Sequence, residues 1–214
     1  MRKALANGEI CIAFACSALT GVGVMAFLDA VEKYLPSPED VNPISVLRKG
    51  EPAEFIASPD GELLGYVFKL YADPTMGDYA YLRLFSGSLK TGMDFSIPEK
   101  SVKERAGNIY YMLGKNREDA QELKAGEIGA LVKLKNTRAL NTITAPGSDL
   151  SLKMPELPTP TYWQAIKALN QSDEEKISNA LQKVIAEDPT IRFEVNQETH
   201  ENILSGLGEQ QLQL

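Results

Sequence analysis

Tyr66-Val67-Phe68-Lys69-Leu70-Tyr71 and Tyr79-Ala80-Tyr81-Leu82-Arg83-Leu84-Phe85, divided by Asp73-Pro74-Thr75-Met76-Gly77-Asp78, decide the fold. Both runs alternate apolar with polar or aromatic residues, and the divider has the composition of a hairpin connection. Short apolar runs follow at Asp94 to Ile97, Gly107 to Leu113, Ile128 to Leu134 and Thr142 to Thr144. Ser86-Gly87, Thr91-Gly92, Gly114-Lys115-Asn116 and Ala125-Gly126 separate them. Many short strands with glycine-bearing turns predict a closed all-β barrel, here over residues 63–150.

Upstream, Pro43, Pro52 and Pro59 are interleaved with Asp40, Asn42, Gly50 and Gly61, so residues 39–62 read as a linker or extended segment. Residues 1–38 hold a strand-loop-helix pattern. The apolar run Ile10 to Cys16 leads through Ser17-Ala18-Leu19-Thr20-Gly21-Val22-Gly23 to Val24, Phe27, Leu28, Val31 and Leu35 at helical spacing, closed by Pro36. A strand without polar alternation belongs in a parallel sheet covered on both faces, and one strand cannot make that sheet. The segment is therefore expected to be the edge of a larger α/β domain.

Downstream, Pro146, Pro155, Pro158 and Pro160 break the chain, and residues 151–214 read strand, helix, strand, strand. Ser172 with Glu175 has a capping-box pattern, and Ile177, Ala180, Leu181, Val184 and Ile185 make one apolar stripe that Asp188-Pro189 ends. Strands follow at Ile191 to Val195 and Asn202 to Ser205, giving a βαββ order that fits a split-βαβ unit lacking its second helix and last strand. The expected class is mainly β with an α+β part.

The 214 residues hold one or two domains' worth of chain. Apolar residues at 43% and charged residues at 24% exclude a disordered or low-complexity chain. No run reaches the ~18 apolar residues of a membrane span, so a cytoplasmic location is expected. Along a strand Cys11 and Cys16 would stand ~17 Å apart. A disulfide needs Cα atoms within about 7 Å, so reduced, buried thiols are expected. His200, the one histidine, reads as a solvated turn residue, and no metal site is expected.

The net charge of -7 is uneven. Residues 153–214 carry five basic and ten acidic groups, whereas Lys100 to Arg138 reverse the balance with nine against five. That middle stretch is the plausible phosphate-facing surface, and Lys133, Lys135 and Arg138 are its candidate nucleic-acid contacts. A solvated barrel edge is the alternative reading of the same three residues. The sequence carries no G-x-x-x-x-G-K-[ST] loop, and Asp173-Glu174-Glu175 has a sufficient role at a helix N-terminus, so no catalytic set is expected here. Ser17-Ala18-Leu19 lies where open α/β sheets bind ligands, beyond the carboxyl end of a strand, and the alternative reading is that Ser17 and Thr20 merely shape and cap the turn.

Ser17-Ala18-Leu19, before a helix ending Tyr34-Leu35-Pro36-Ser37-Pro38, resembles the end of the GTP-binding domain of translational GTPases of the elongation factor G family. Phe68 to Pro74, Arg83 to Leu89 and Glu122 to Ala130 resemble that family's β-barrel second domain. Asp173 to Ile177, Glu187 to Thr190 and Ser205 to Glu209 resemble its third. The resemblance implies an excerpt of a longer, ribosome-binding protein that uses GTP with magnesium to move tRNA and mRNA. It also implies guanine contacts from the backbone of Ser17, Ala18 and Leu19. Nucleotide affinity and GTP hydrolysis are not expected of these residues alone. One departure is Gln210-Gln211-Leu212, where the family has Leu-His-Leu after Gly-Glu. It leaves open a ribosomal-protection, release-factor-type or non-hydrolysing paralogue.

Overall fold

The alternation along residues 64–86 sorts Val67, Leu70, Ala80, Leu82 and Leu84 to one side of a hairpin, where all five are buried. The computed structural model describes every residue except 38, 39, 41, 42, 74–76, 115, 169, 171–173, 200 and 214. From the N-terminus, α1 (Arg2–Ala6) and α2 (Val24–Tyr34) precede the hairpin of β1 (Ile44–Arg48) and β2 (Glu51–Phe55). Then come β3 (Leu64–Asp73), β4 (Gly77–Ser86), β5 (Ser88–Lys90), β6 (Asp94–Ile97) and β7 (Val102–Arg105). β8 (Ile109–Leu113), β9 (Asn116–Ala120), β10 (Glu122–Lys124), β11 (Ile128–Val132), β12 (Thr142–Thr144) and β13 (Leu150–Leu152) follow. The last unit comprises β14 (Tyr162–Ile166), α3 (Glu174–Glu187), β15 (Arg192–Val195), β16 (Asn202–Gly206) and α4 (Glu209–Leu212).

Eight strands pair in the order β7-β6-β12-β3-β4-β11-β8-β9, with β5 and β10 as a separate antiparallel pair. Leu82, Leu89, Phe95, Leu123, Leu131 and Ile143, from six strands, meet in one interior, so the sheet curls round a single core as a barrel. The end strands β7 and β9 do not pair with each other among the described residues, so the ladder is not closed as expected. Burying a leucine or phenylalanine side chain contributes about 1.5–3 kcal/mol, which makes this interior the main stabilising feature of the chain.

A bulge interrupts the β3–β4 ladder. Val67 faces Leu82 and Lys69 faces Tyr81, leaving Phe68 unopposed. An extra residue on one strand puts two consecutive side chains on the same side. Phe68 and Lys69 are accordingly both exposed on the outer surface.

Regular structure begins earlier than the sequence indicates. Within the segment read as a linker or extended stretch, residues 44–55 form the β1–β2 hairpin, and β1 also pairs with β13, with Val46 opposite Leu152. Val46, Phe55, Leu64 and Leu150 form a second buried cluster between this small sheet and the barrel's outer face. Proline and glutamate in Glu51-Pro52-Ala53-Glu54 mark an edge strand, which tolerates both.

The N-terminal segment differs more. Ile10 to Cys16 is irregular, and Cys11 and Cys16 are free and exposed, correcting the expectation of a strand with buried thiols. A doubly buried strand needs hydrogen-bonded neighbours, and none among the described residues pairs with this run. The helix is as expected, with its capping residue at Leu35, but none of its apolar stripe is fully buried: Val24 and Val31 are half-buried, and Phe27 and Leu28 are exposed.

In the last unit β16 lies between β14 and β15, antiparallel to both. β14 and β15 therefore run parallel with a strand inserted between them, which is the split-βαβ arrangement. Ile177, Leu181 and Ile185 form the half-buried stripe of α3. The capping box reading falls on Ser172, and the histidine reading on His200, both outside the described residues. Ala186 packs against the barrel core, so α3 serves both units. No helix among the described residues is long and apolar enough to cross a membrane.

Candidate functional site

Lys133 sits where the chain leaves β11 in a left-handed conformation, φ 60°, and the loop that follows is organised from below by one carboxylate. Glu104, on β7, accepts the backbone N–H groups of Lys135 and Asn136 at 2.7 Å each and of Thr137 at 3.0 Å. It also accepts the Thr137 hydroxyl. Burial alone would push the Glu104 carboxyl up, but the Thr137 hydroxyl and the three amides outweigh it and hold the group below its ordinary range. Lys100 Nζ donates to the carbonyl of Asn136 at 2.6 Å. Arg138 Nη1 donates to the carbonyls of Lys135 at 3.1 Å and Thr137 at 2.8 Å.

These bonds fix a loop that carries Lys133, Lys135 and Arg138, all three exposed. Among the described residues none of the three makes an ion pair. Lys100 reports the local field: partial burial lowers its affinity for a proton first, and the neighbouring Arg138 cation lowers it further. The arrangement places three exposed cations on one short loop whose backbone is held by Glu104. Thr137 and Arg138 also border a cavity of about 450 Å³ between the barrel and α3, floored by Leu70, Ala80 and Leu134.

The second sequence candidate, Ser17-Ala18-Leu19, lies in a tight turn rather than at the end of a strand. The Ser17 amide donates to Val22 at 2.9 Å, the Gly21 amide returns to Ser17 at 2.9 Å, and the Thr20 amide reaches Ser17 Oγ at 3.3 Å. Ala18 is exposed and Leu19 is 96% exposed. Their amides have no hydrogen-bond partner among the described residues, whereas the Ser17 amide is already engaged. Phe14 meets Phe27 edge-on at 5.6 Å behind the turn.

The structure thus gathers Lys133, Lys135 and Arg138 on one loop. No hydrogen bond or ion pair among the described residues joins that loop to the Ser17 turn. Sequence reading passed over Glu104 and Lys100, which lie more than thirty residues from their partners. The alternating pattern of Val102–Arg105, half-buried at Glu104, was the available signal. No group of three His, Cys, Asp or Glu side chains that could hold a metal occurs among the described residues.

Residues 62–145 match the family model of elongation factor G domain 2, and residues 157–214 match that of elongation factor G, domain III. A crystal structure of a protein from Thermus thermophilus is similar with a TM-score of 0.69 and 30% identity, over 89% of this chain and 26% of that one. The chain spans about a quarter of the length of the solved structure it matches. Two consecutive domain models of one family, in family order and on the barrel and split-βαβ units described above, lead to one conclusion: this chain belongs to the elongation factor G family of translation factors.

Proposed function

We propose that these residues work within a ribosome-dependent GTPase that promotes movement of tRNA and mRNA in the cytoplasm, with the barrel contacting small-subunit ribosomal RNA. The observation that carries this reading is the loop of Lys133, Lys135 and Arg138, held rigid by Glu104 and free of ion pairs among the described residues. Phosphates are bound best by cations that need no further ordering. The exposed amides of Ala18 and Leu19 would meet the guanine of GTP. The phosphates and magnesium would be held by residues outside this sequence, which has no phosphate-cradling loop.

The test is ribosome binding across a salt series, using the protein that carries this region with its nucleotide-binding domain. Lys133→Ala, Lys135→Ala and Arg138→Ala together are expected to weaken binding and flatten its log–log salt slope by about 0.7–0.9 per lost phosphate contact. An unchanged slope would remove the loop from the interface. Calorimetry on the 214 residues alone is expected to show no GTP binding, and micromolar affinity would overturn the assignment of the phosphate cradle elsewhere.

Gln210-Gln211, in place of the family's Leu-His, favours a second reading as a ribosomal-protection or release-factor-type paralogue with the same RNA-facing surface. Translocation assayed beside tetracycline rescue and release-factor displacement separates the two.

A further inference from the structure

The bulge at Phe68 brings an aromatic ring and an ammonium group side by side onto the barrel's outer face, at the end of a row of rings. Tyr110 lies 6.4 Å from Tyr79, Tyr79 lies 6.5 Å from Tyr81, and Tyr81 lies 6.3 Å from Phe68, centroid to centroid. Tyr79 and Tyr110 are buried, although they sit on the outer side of the sheet, and with Ala130 and Val132 they make a firm floor. Phe68 and Tyr71 stand above it, 42% and 45% exposed. Two neighbouring exposed rings over a buried aromatic floor present flat apolar faces to solvent.

Cations accompany the row. Lys69 Nζ is 6.0 Å from the Tyr71 ring centre, and the Arg117 guanidinium is 5.1 Å from that of Tyr110 while donating to Tyr79 Oη at 3.0 Å. Asp119, cross-strand from Tyr110, and Asp73, at the tip of β3, lie at its rim. Val132 pairs with Tyr79 and is followed by Lys133, so the row runs directly into the cationic loop.

From this geometry we infer that Phe68 and Tyr71, standing on the row, form a stacking platform for unpaired RNA bases, continuing the phosphate-binding loop, so that the barrel recognises a single-stranded or bulged segment rather than a regular duplex. The inference rests on the RNA-facing reading proposed above. A duplex keeps its base faces covered and offers only phosphates and groove edges, which Phe68 and Tyr71 cannot use. An unpaired strand offers both phosphates for the loop and ring faces for the platform.

The test measures binding of the 214-residue chain to a fluorescein-labelled oligoadenylate of about eight nucleotides and to an RNA hairpin duplex. Oligoadenylate is expected to bind at least about tenfold more tightly. Phe68→Ala with Tyr71→Ala is expected to lose about five- to tenfold on oligoadenylate, leave the duplex unchanged and keep the native circular dichroism, while Phe68→Trp retains binding. Equal affinity of the double variant and the parent chain would overturn the platform, as would preference for the duplex. Binding of both RNAs that depends only on Lys133, Lys135 and Arg138 would keep the RNA-facing loop and discard stacking. Binding of neither RNA would discard both, and capture of a decaproline peptide in their place would assign the row to a protein partner.

Discussion

Glu187, the last residue of α3, accepts the backbone N–H of Ala72 in β3, joining positions 115 residues apart. On its far side from β4, β3 is covered by β12 only from Leu64 to Tyr66. Beyond Val67 that side would present bare amides, a template for unwanted pairing. The end of α3 covers it, with Ala186 supplying apolar contact and Glu187 the acceptor. Glu187→Ala is expected to speed hydrogen exchange of the Ala72 amide by about fivefold or more, the factor that about 1 kcal/mol carries, without affecting Leu82. Glu187→Gln, which keeps an acceptor, should retain most of the protection. Unaltered exchange at Ala72 in the alanine variant would show that α3 does not protect this edge.

Acid should loosen the loop of residues 135–137. Glu104 is held below its ordinary value of 4.5 because the folded loop bonds to its charged form. A carboxyl depressed by folding stabilises the native loop fully above that value, and the contribution is lost as pH falls below it through the folded value. Amide exchange at Lys135, Asn136 and Thr137, corrected for intrinsic rates, is expected to stay flat from neutrality to about pH 5 and to rise in more acidic solution. Glu104→Gln should abolish the transition. A profile that remains flat to pH 2.5 would refute this role for the carboxylate.

Gln211 ties the last helix to its surroundings through three hydrogen bonds. Its amide nitrogen donates to Asp188 Oδ2 at 2.7 Å and Thr190 Oγ1 at 2.9 Å, while its oxygen accepts the Leu207 amide at 2.6 Å. α4 is thereby pinned to the turn after α3. Gln211→Ala is expected to destabilise the last unit by about 1–2 kcal/mol in urea unfolding, with the barrel transition unmoved. A shift common to both units, or none, would contradict that assignment.

Two glycines with similar backbones should respond differently to the same change. Gly87 and Gly92 have φ of +69° and +81°, so alanine costs about 1–2 kcal/mol at either. At Gly87 the added Cβ would also come within 2.8 Å of the Gly61 carbonyl and 3.0 Å of Leu63 backbone atoms, whereas at Gly92 the nearest atom is Arg105 Nη2 at 3.7 Å. Gly87→Ala should therefore destabilise the barrel by about 1–3 kcal/mol more than Gly92→Ala. Equal midpoints in denaturant would show that the neighbouring chain gives way.

The strands at Asp94–Ile97 and Thr142–Thr144 were legible because alternation and glycine turns survive in the sequence. Asn116–Ala120 was not, since Asn-Arg-Glu-Asp carries no apolar pattern. It forms the free edge β9, where charge is tolerated and pairing with β8 sets the structure. Ile10 to Cys16 misled in the other direction, because apolar composition makes a strand only where neighbours supply hydrogen bonds. Charge also singled out Lys133, Lys135 and Arg138, which fall exposed on one loop. The carboxylate beneath them was hidden by sequence distance, and the outward turn of Phe68 by a bulge that local propensity does not encode.

The clasp between β1 and β13 has a mechanical side. Because these strands are antiparallel, the chain enters at Ile44 and leaves at Leu152 from the same end of the three-stranded sheet. Tension drawn from the segments before and after would act along the rungs and peel them apart singly, beginning at Val46 and Leu152. Rungs broken singly resist less than rungs sheared together, so this seam is expected to open under load at lower force than strands pulled lengthwise past one another.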